Sequence, residues 1–246
     1  MKYVFLFLLI GGLSGQVMAQ NNYTTFFMRQ ARLASDDTKI TVTAKGDTAL
    51  IAFFKNNDVV NNRYGEFTKL FKGTPYFMNG WYQGEIVTTT NSILQGVQMA
   101  YNIQRKTVYV AEDTTQEAVA VKIKAFTIKG HNFQLLDNTY YETIYEGTNS
   151  TLLKEHTCML ELNKPSEQNG YEVSGPHAEY EGMYVKSAKY YWLFNNERIP
   201  VPTGKRIFKL FGEKEGAMEA FAKSNRLKIN AESGIVALFK KYDTGL

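Results

Sequence analysis

The side chains with the widest chemical range in this chain are three histidines, one cysteine and 24 Asp and Glu residues. Nucleophilic hydrolysis needs a Ser or Cys activated by a base that a third group orients. No G-x-S-x-G lies beyond residue 20. Ser174-Gly175-Pro176-His177 sets a hydroxyl near an imidazole, a spacing that suits a catalytic pair and equally an ordinary Pro/Gly turn. A zinc site needs clustered ligands, whereas His131, His156 and His177 are scattered and form no H-x-H or H-E-x-x-H. The run 113–117 (Asp-Thr-Thr-Gln-Glu) is too sparse for a calcium loop. No phosphate loop or dinucleotide fingerprint is present, so neither a metal nor an organic cofactor is expected. Paired-carboxylate catalysis stays open, because acids distant in sequence can meet in the fold. Glu142 and Glu146 share one strand pattern, which is also how acids sit on a solvated strand face.

Aromatic residues are the other candidates. Trp81-Tyr82 and Tyr190-Tyr191-Trp192 are dense enough to stack on sugar rings or to line an apolar pocket. Tyr and Trp are also good strand formers and core fillers. We take Trp81, Tyr82, Tyr190, Tyr191 and Trp192 as the candidate ligand-binding residues. The matching partners are an envelope protein, a glycan or a small apolar ligand. Cys158 shares strand parity with Leu160 and Leu162, which points its thiol inward as a small hydrophobe. A reactive thiol or an intermolecular disulfide is the alternative for an odd Cys.

The elements that must position these residues are mostly strands. Apolar residues alternate over 38–43, 82–88, 97–103, 107–111 and 119–128, with a shift of parity near 124–125 that implies a bulge or a bend between two strands. Strand patterns continue at 132–136, 140–145 and 151–162, then at 183–186, 189–194 and 199–201. A polar loop with two Gly and two Pro spans 164–176. The N-terminal part, 20–79, reads as a polar segment with short strands and one short helix, in which Tyr64, Phe67, Leu70 and Phe71 repeat at helical spacing before Gly73-Thr74-Pro75. After Pro202 the period changes to 3.6, giving two or three short amphipathic helices over 204–246, with Asn230 as an N-cap. Helices this short need a surface to pack on, and the sheet supplies it. The expected fold is α+β, mainly β: an antiparallel meander or partly closed, barrel-like sheet over 80–203, followed by the helical tail.

Composition and the N-terminus narrow the function classes. With 44 % apolar and 21 % charged residues the chain is an ordinary globular sequence, and its one Cys excludes an internal disulfide. The formal charge of +4 is too mild for a nucleic-acid binder. Lys2, the apolar run 3–10, and Val17-Met18-Ala19 make a secretory signal peptide cut between Ala19 and Gln20. The apolar run is shorter than the ~20 residues of a spanning helix, and none comes later. The residue after the cut is Gln20 and not Cys, so the mature protein is read as exported but not lipid-anchored, in the periplasm, at the outer-membrane face or in the medium.

Three regions carry a resemblance. They are Gly73-Thr74-Pro75-Tyr76-Phe77 with Trp81-Tyr82-Gln83-Gly84-Glu85-Ile86-Val87, then 140–147 (YYETIYEG) with Leu152-Leu153-Lys154, and the tail from Lys209-Leu210-Phe211 to Leu238-Phe239-Lys240-Lys241-Tyr242. Together, over about 66–243, they resemble a recurrent family of exported Bacteroidota proteins with a β-rich body and a helical tail. The resemblance implies compartment and layout, and no activity. Three functions remain in play: a non-enzymatic binding protein using its aromatic sheet, a glycan-processing or other envelope hydrolase using dispersed carboxylates, and a structural scaffold without a small ligand.

Overall fold

The computed structural model describes residues 27–28, 37–58, 63–111, 118–163, 180–195 and 197–245. The protein is mainly β, with one large curled sheet and C-terminal helices. Three antiparallel runs make the sheet. The first contains β1 (Phe27–Met28), β2 (Asp37–Val42), β3 (Thr48–Asp58) and β4 (Arg63–Lys72). The second contains β5 (Tyr82–Val87), β6 (Ile93–Asn102), β7 (Thr107–Ala111) and β8 (Val119–Val121). The third contains β9 (Ala125–Ile128), β10 (His131–Leu136), β11 (Thr139–Glu146), β12 (Thr151–Leu162), β13 (Gly182–Phe194) and β14 (Glu197–Pro200). Antiparallel pairing of β5 with β9 joins the second run to the third. A two-residue parallel contact, Gly182 with Phe71 and Met183 with Lys72, joins β13 to the first run.

The parity shift near 124–125 is a bend between strands: β8 pairs with β7, whereas β9 pairs with β5 and β10. The segment expected as a helix over 64–71 is strand β4. It forms a ten-pair ladder with β3, from Ala49 opposite Lys72 to Asp58 opposite Arg63, and that long-range pairing overrides a marginal helical spacing. The strands expected at 183–186 and 189–194 are one continuous β13, in register with β12 throughout.

The sheet curls without closing. Tyr101 on β6 and Tyr140 on β11 have three strands between them in the sheet order, yet their ring centroids are 5.6 Å apart. The Tyr140 hydroxyl donates to the Ile123 carbonyl and accepts from the Ile123 amide, tying β11 across the fold to the chain after β8. Inside the curl, Met99, Tyr101, Phe126, Phe133, Tyr140, Cys158 and Tyr184 form one core. Phe126 and Phe133 stack at 4.6 Å within it.

The tail forms a second core. A run of 3₁₀ turns (Gly204–Lys214), broken at Gly212 where φ is +54°, leads to α1 (Glu215–Ser224) and α2 (Glu232–Asp243). Ile207, Phe211, Met218, Ile235, Leu238 and Phe239 pack on Leu152 and Trp192 of the sheet. The cap of α2 is Ala231, which has no capping side chain. Asn230 accepts instead from the Gly204 amide at 2.8 Å and staples the start of the tail to the start of α2. Asp243 locks the other end by accepting from the Tyr145 hydroxyl (2.7 Å), the Ser150 hydroxyl (2.7 Å) and the Asn149 amide (3.3 Å).

Candidate functional site

Both cores occupy the same sheet face, and polar residues separate them. Along β12, alternate side chains run from Leu152 in the helical core, through Lys154 and His156, to Cys158 in the curled core. Glu142 of β11 lies opposite Lys154 on one side and Phe133 of β10 on the other. His131 and His156 are each displaced two residues from those partners, in opposite senses, so their rings approach Glu142 along two diagonals. His131 Nδ1 is 2.5 Å from Oε1 of Glu142, and His156 Nε2 is 2.6 Å from Oε2. A carboxylate only accepts, so both imidazoles donate. Phe77 stands edge-on to both rings, with centroids at 5.0 and 4.8 Å.

A cation and a second acid extend the cluster toward the helices. Lys154 Nζ is 3.9 Å from Oε2 of Glu142 and 2.7 Å from Oε2 of Glu232 in the first turn of α2. The Tyr190 hydroxyl donates to the same Glu232 oxygen at 3.1 Å. Burial alone raises the pKa of Glu142. The hydrogen bonds from His156 and His131, with the charges of His156 and Lys154, outweigh it and hold the carboxyl below its ordinary value. The Glu142 side chain is 8 % exposed, whereas His131 and Glu232 at the two ends are each 41 % exposed. The cluster is therefore a buried bridge with both ends at the surface. The two imidazoles address separate oxygens of one carboxylate. Among the described residues no group of three or more His, Cys, Asp or Glu is placed to hold a metal ion.

A cleft of about 330 Å³ lies beside this bridge. Ala188 to Tyr191 of β13 form one wall, the connector Pro200-Val201-Pro202-Thr203 another, and Ile229, Asn230 and Ile235 the third. Tyr190 belongs to both features. Burial and the neighbouring Glu232 push its phenol up to about 12, so it stays a donor at neutral pH. Tyr191 projects to the opposite sheet face and donates to Glu155 at 3.0 Å, where Lys106 also binds the carboxylate at 3.0 Å. Burial and Glu155 likewise push the Tyr191 phenol up to about 12.

The five aromatic candidates thus divide. Tyr190 lines the cleft, and Tyr191 borders it while its ring lies on the opposite sheet face. Trp192 is 4 % exposed among Phe211, Phe239 and Tyr242, with ring centroids 5.5–6.3 Å away, so its faces are taken up by the helical core. Trp81 is 6 % exposed and packs with Tyr76, Ala100 and Ala111. Tyr82 is half-buried beneath Lys129, whose Nζ is 5.3 Å from the ring centroid. The cleft beside Tyr190 is lined by neither Trp81 nor Tyr82. Cys158 is buried, and burial pushes its thiol up. Glu146 is exposed and Glu142 is not. Ala19, Gln20, Ser174 and His177 lie outside the described residues.

Reading the histidines by spacing alone missed the Glu142 cluster. A parity signal existed. His131 shares parity with Phe133 and Leu135, Glu142 with Tyr140, and Lys154 and His156 with Leu152 and Cys158. Four polar residues on core parity over three consecutive strands mark a polar contact inside the fold. The chain matches no family model, no curated protein and no solved structure.

Proposed function

We propose that this chain is an exported envelope protein that binds a ligand non-covalently in the cleft walled by Tyr190. One observation carries the binding reading. The cleft's roughly 330 Å³ falls within the roughly 300–1,000 Å³ usual for ligand sites, and aromatic, proline and isoleucine surfaces meet Thr203 and Asn230 there. That mixture suits an amphipathic ligand. Export rests on the first nineteen residues, and the family assignment on the resemblance described above.

A second reading, hydrolysis by paired carboxylates, draws on Glu142 and Glu232. Both bind Lys154 Nζ, at 3.9 and 2.7 Å, which brings the two acids within glycosidase range. It ranks second because both oxygens of Glu142 are already engaged by His131 and His156, at 2.5 and 2.6 Å, and its side chain is 8 % exposed, which leaves neither oxygen open to a substrate. Turnover of glycan substrates by the pure protein, abolished in Glu142→Gln and in Glu232→Gln, would reverse the ranking.

Mass spectrometry of the mature protein from the envelope fraction of its host tests the leading reading. The denatured mass should lack residues 1–19. The native mass should show a discrete bound species, at least tenfold depleted in Tyr190→Ala. A bare protein overturns the binding reading, and an uncleaved mass overturns export.

A further inference from the structure

Strand β13 is paired with β12 from Gly182 to Leu193, but among the described residues its other edge is paired only at the ends. There β4 reaches Gly182 and Met183, and β14 reaches 191–194. The Val201 amide adds a bond to the Tyr190 carbonyl at 2.8 Å. Between these contacts, no described residue forms a strand pair with this edge. The direction of the backbone groups follows from alternation. The Tyr190 carbonyl points toward β14, so the amides and carbonyls of Ala188 and Lys186 point the same way, out of the sheet edge. Thr157 of β12 donates to the carbonyl of Ser187, consistent with odd-numbered residues facing β12. The lysine side chain at 186 is turned away, donating to the Tyr76 carbonyl.

The gap adjoins the cleft, since Ala188 and Lys189 belong to both. An extended peptide meets both features at once. Its backbone completes the ladder at Lys186 and Ala188, and a side chain on alternate parity enters the space between Tyr190, Pro200 and Ile235. A sugar or a lipid chain has no repeating donor and acceptor row to match the strand edge. β4 and β14 bound the gap, so only a short stretch of about three or four residues, roughly 10–13 Å of strand, fits. We propose that the ligand of this cleft is an extended peptide segment of a partner protein, added as a short strand to β13 at Lys186–Ala188. This proposal rests on the cleft being the binding site.

The test uses the mature chain and capped pentapeptides, acetyl-Thr-Val-Xaa-Val-Thr-amide with Xaa varied over apolar and aromatic residues. Each is paired with a copy N-methylated at alternate amides, and maltohexaose and octanoate serve as non-peptide probes. The readouts are affinity and hydrogen exchange at the Lys186 and Ala188 amides. Saturable binding is expected, at least tenfold weaker for the N-methylated copies, with exchange at both amides slowed at least tenfold. Ala188→Pro should abolish peptide binding while β12 pairing persists, because the amide it removes faces the free edge. Should that variant unfold, the N-methylated peptides on the unaltered protein still decide. If the two amides are already protected without peptide, the chain covers its own edge and the proposal falls. If maltohexaose or octanoate binds at Tyr190 and no peptide does, the cleft reading stands and the peptide proposal falls. If no probe binds, both fall.

Discussion

Glu142→Gln isolates what the buried carboxylate contributes, because Gln keeps the shape and one acceptor oxygen but loses the charge. In the native protein Glu142 accepts from two imidazoles at 2.5 and 2.6 Å and lies 3.9 Å from Lys154. Hydrogen bonds to a charged group contribute about 1.5–3 kcal/mol each, and removing one member of a buried charged cluster costs about 3–5 kcal/mol. His131 is well exposed, so its share is discounted for screening, and the substitution should cost about 3 kcal/mol at neutral pH. The pH dependence has a definite sign. The folded carboxyl has a lowered pKa, so the unfolded chain binds this proton more readily. Its stabilisation is complete above the ordinary value of 4.5 and drains away as pH falls below it. A protonated Glu142 resembles the Gln variant, so the two proteins should converge in acid. Urea unfolding at about pH 7 and about pH 3 measures this, with the difference expected to shrink by at least half. Glu155, also lowered by Lys106 and Tyr191 against its burial, gives the native protein a further acid slope, but both proteins share it and it cancels. A difference that stays constant between the two pH values would refute the account.

Further predictions concern the frame around the site. A Cβ at Gly147 would overlap the Asp243 carboxylate and crowd the Tyr145 hydroxyl, so Gly147→Ala should break the lock on α2 and cost about 2–3 kcal/mol. In an Asp243→Ala background the same change should cost at least about 1 kcal/mol less by denaturant unfolding, because the carboxylate is gone and the Tyr145 hydroxyl, no longer held by it, can move aside. Tyr145, Tyr190 and Tyr191 should ionise near 12 in an alkaline absorbance titration of the folded protein. The same groups should fall to near 10 in denaturant. Trp192→Ala removes the ring around which Phe211, Phe239 and Tyr242 pack and should cost about 3–5 kcal/mol.

Period-two alternation exposed most of the sheet because the strands from β5 onward are half-buried, with one face on a core and the other wet. β4 escaped that signal. Its two last apolar residues, Leu70 and Phe71, are adjacent and lie on opposite faces, one half-buried and one buried, which imitates a helical stripe. Half of the candidate site was legible in the same way. Tyr190 and Tyr191 stood out as aromatic, but local density could not tell a cleft wall from the core position of Trp192, which the returning helices bury. The Glu142 cluster was hidden because its members come from β10, β11, β12 and α2, and Glu232 is 90 residues from Glu142 in a tail whose docking no local pattern specifies.

The error over β13 has a physical reading. The alternation lapses at Lys186-Ser187-Ala188-Lys189, and for that reason the sequence suggests two strands there. The backbone does not break at that point; the register with β12 runs straight through it. Side chains alternate by polarity only where the two faces of a strand differ in burial. From Val185 to Lys189 neither face is fully buried, and the edge away from β12 pairs with no described strand. Lysines at such a place keep an unpaired edge from aggregating with its own kind. A specific peptide must then supply enough side-chain contact to overcome that protection, and the cleft is where such contact is available. Replacing Lys189 with Val would therefore separate the two roles. Self-association in analytical ultracentrifugation should rise, while cleft-dependent binding that needs Tyr190 should persist. If self-association stays unchanged, the free edge is closed to other chains and the lapse in alternation has another cause.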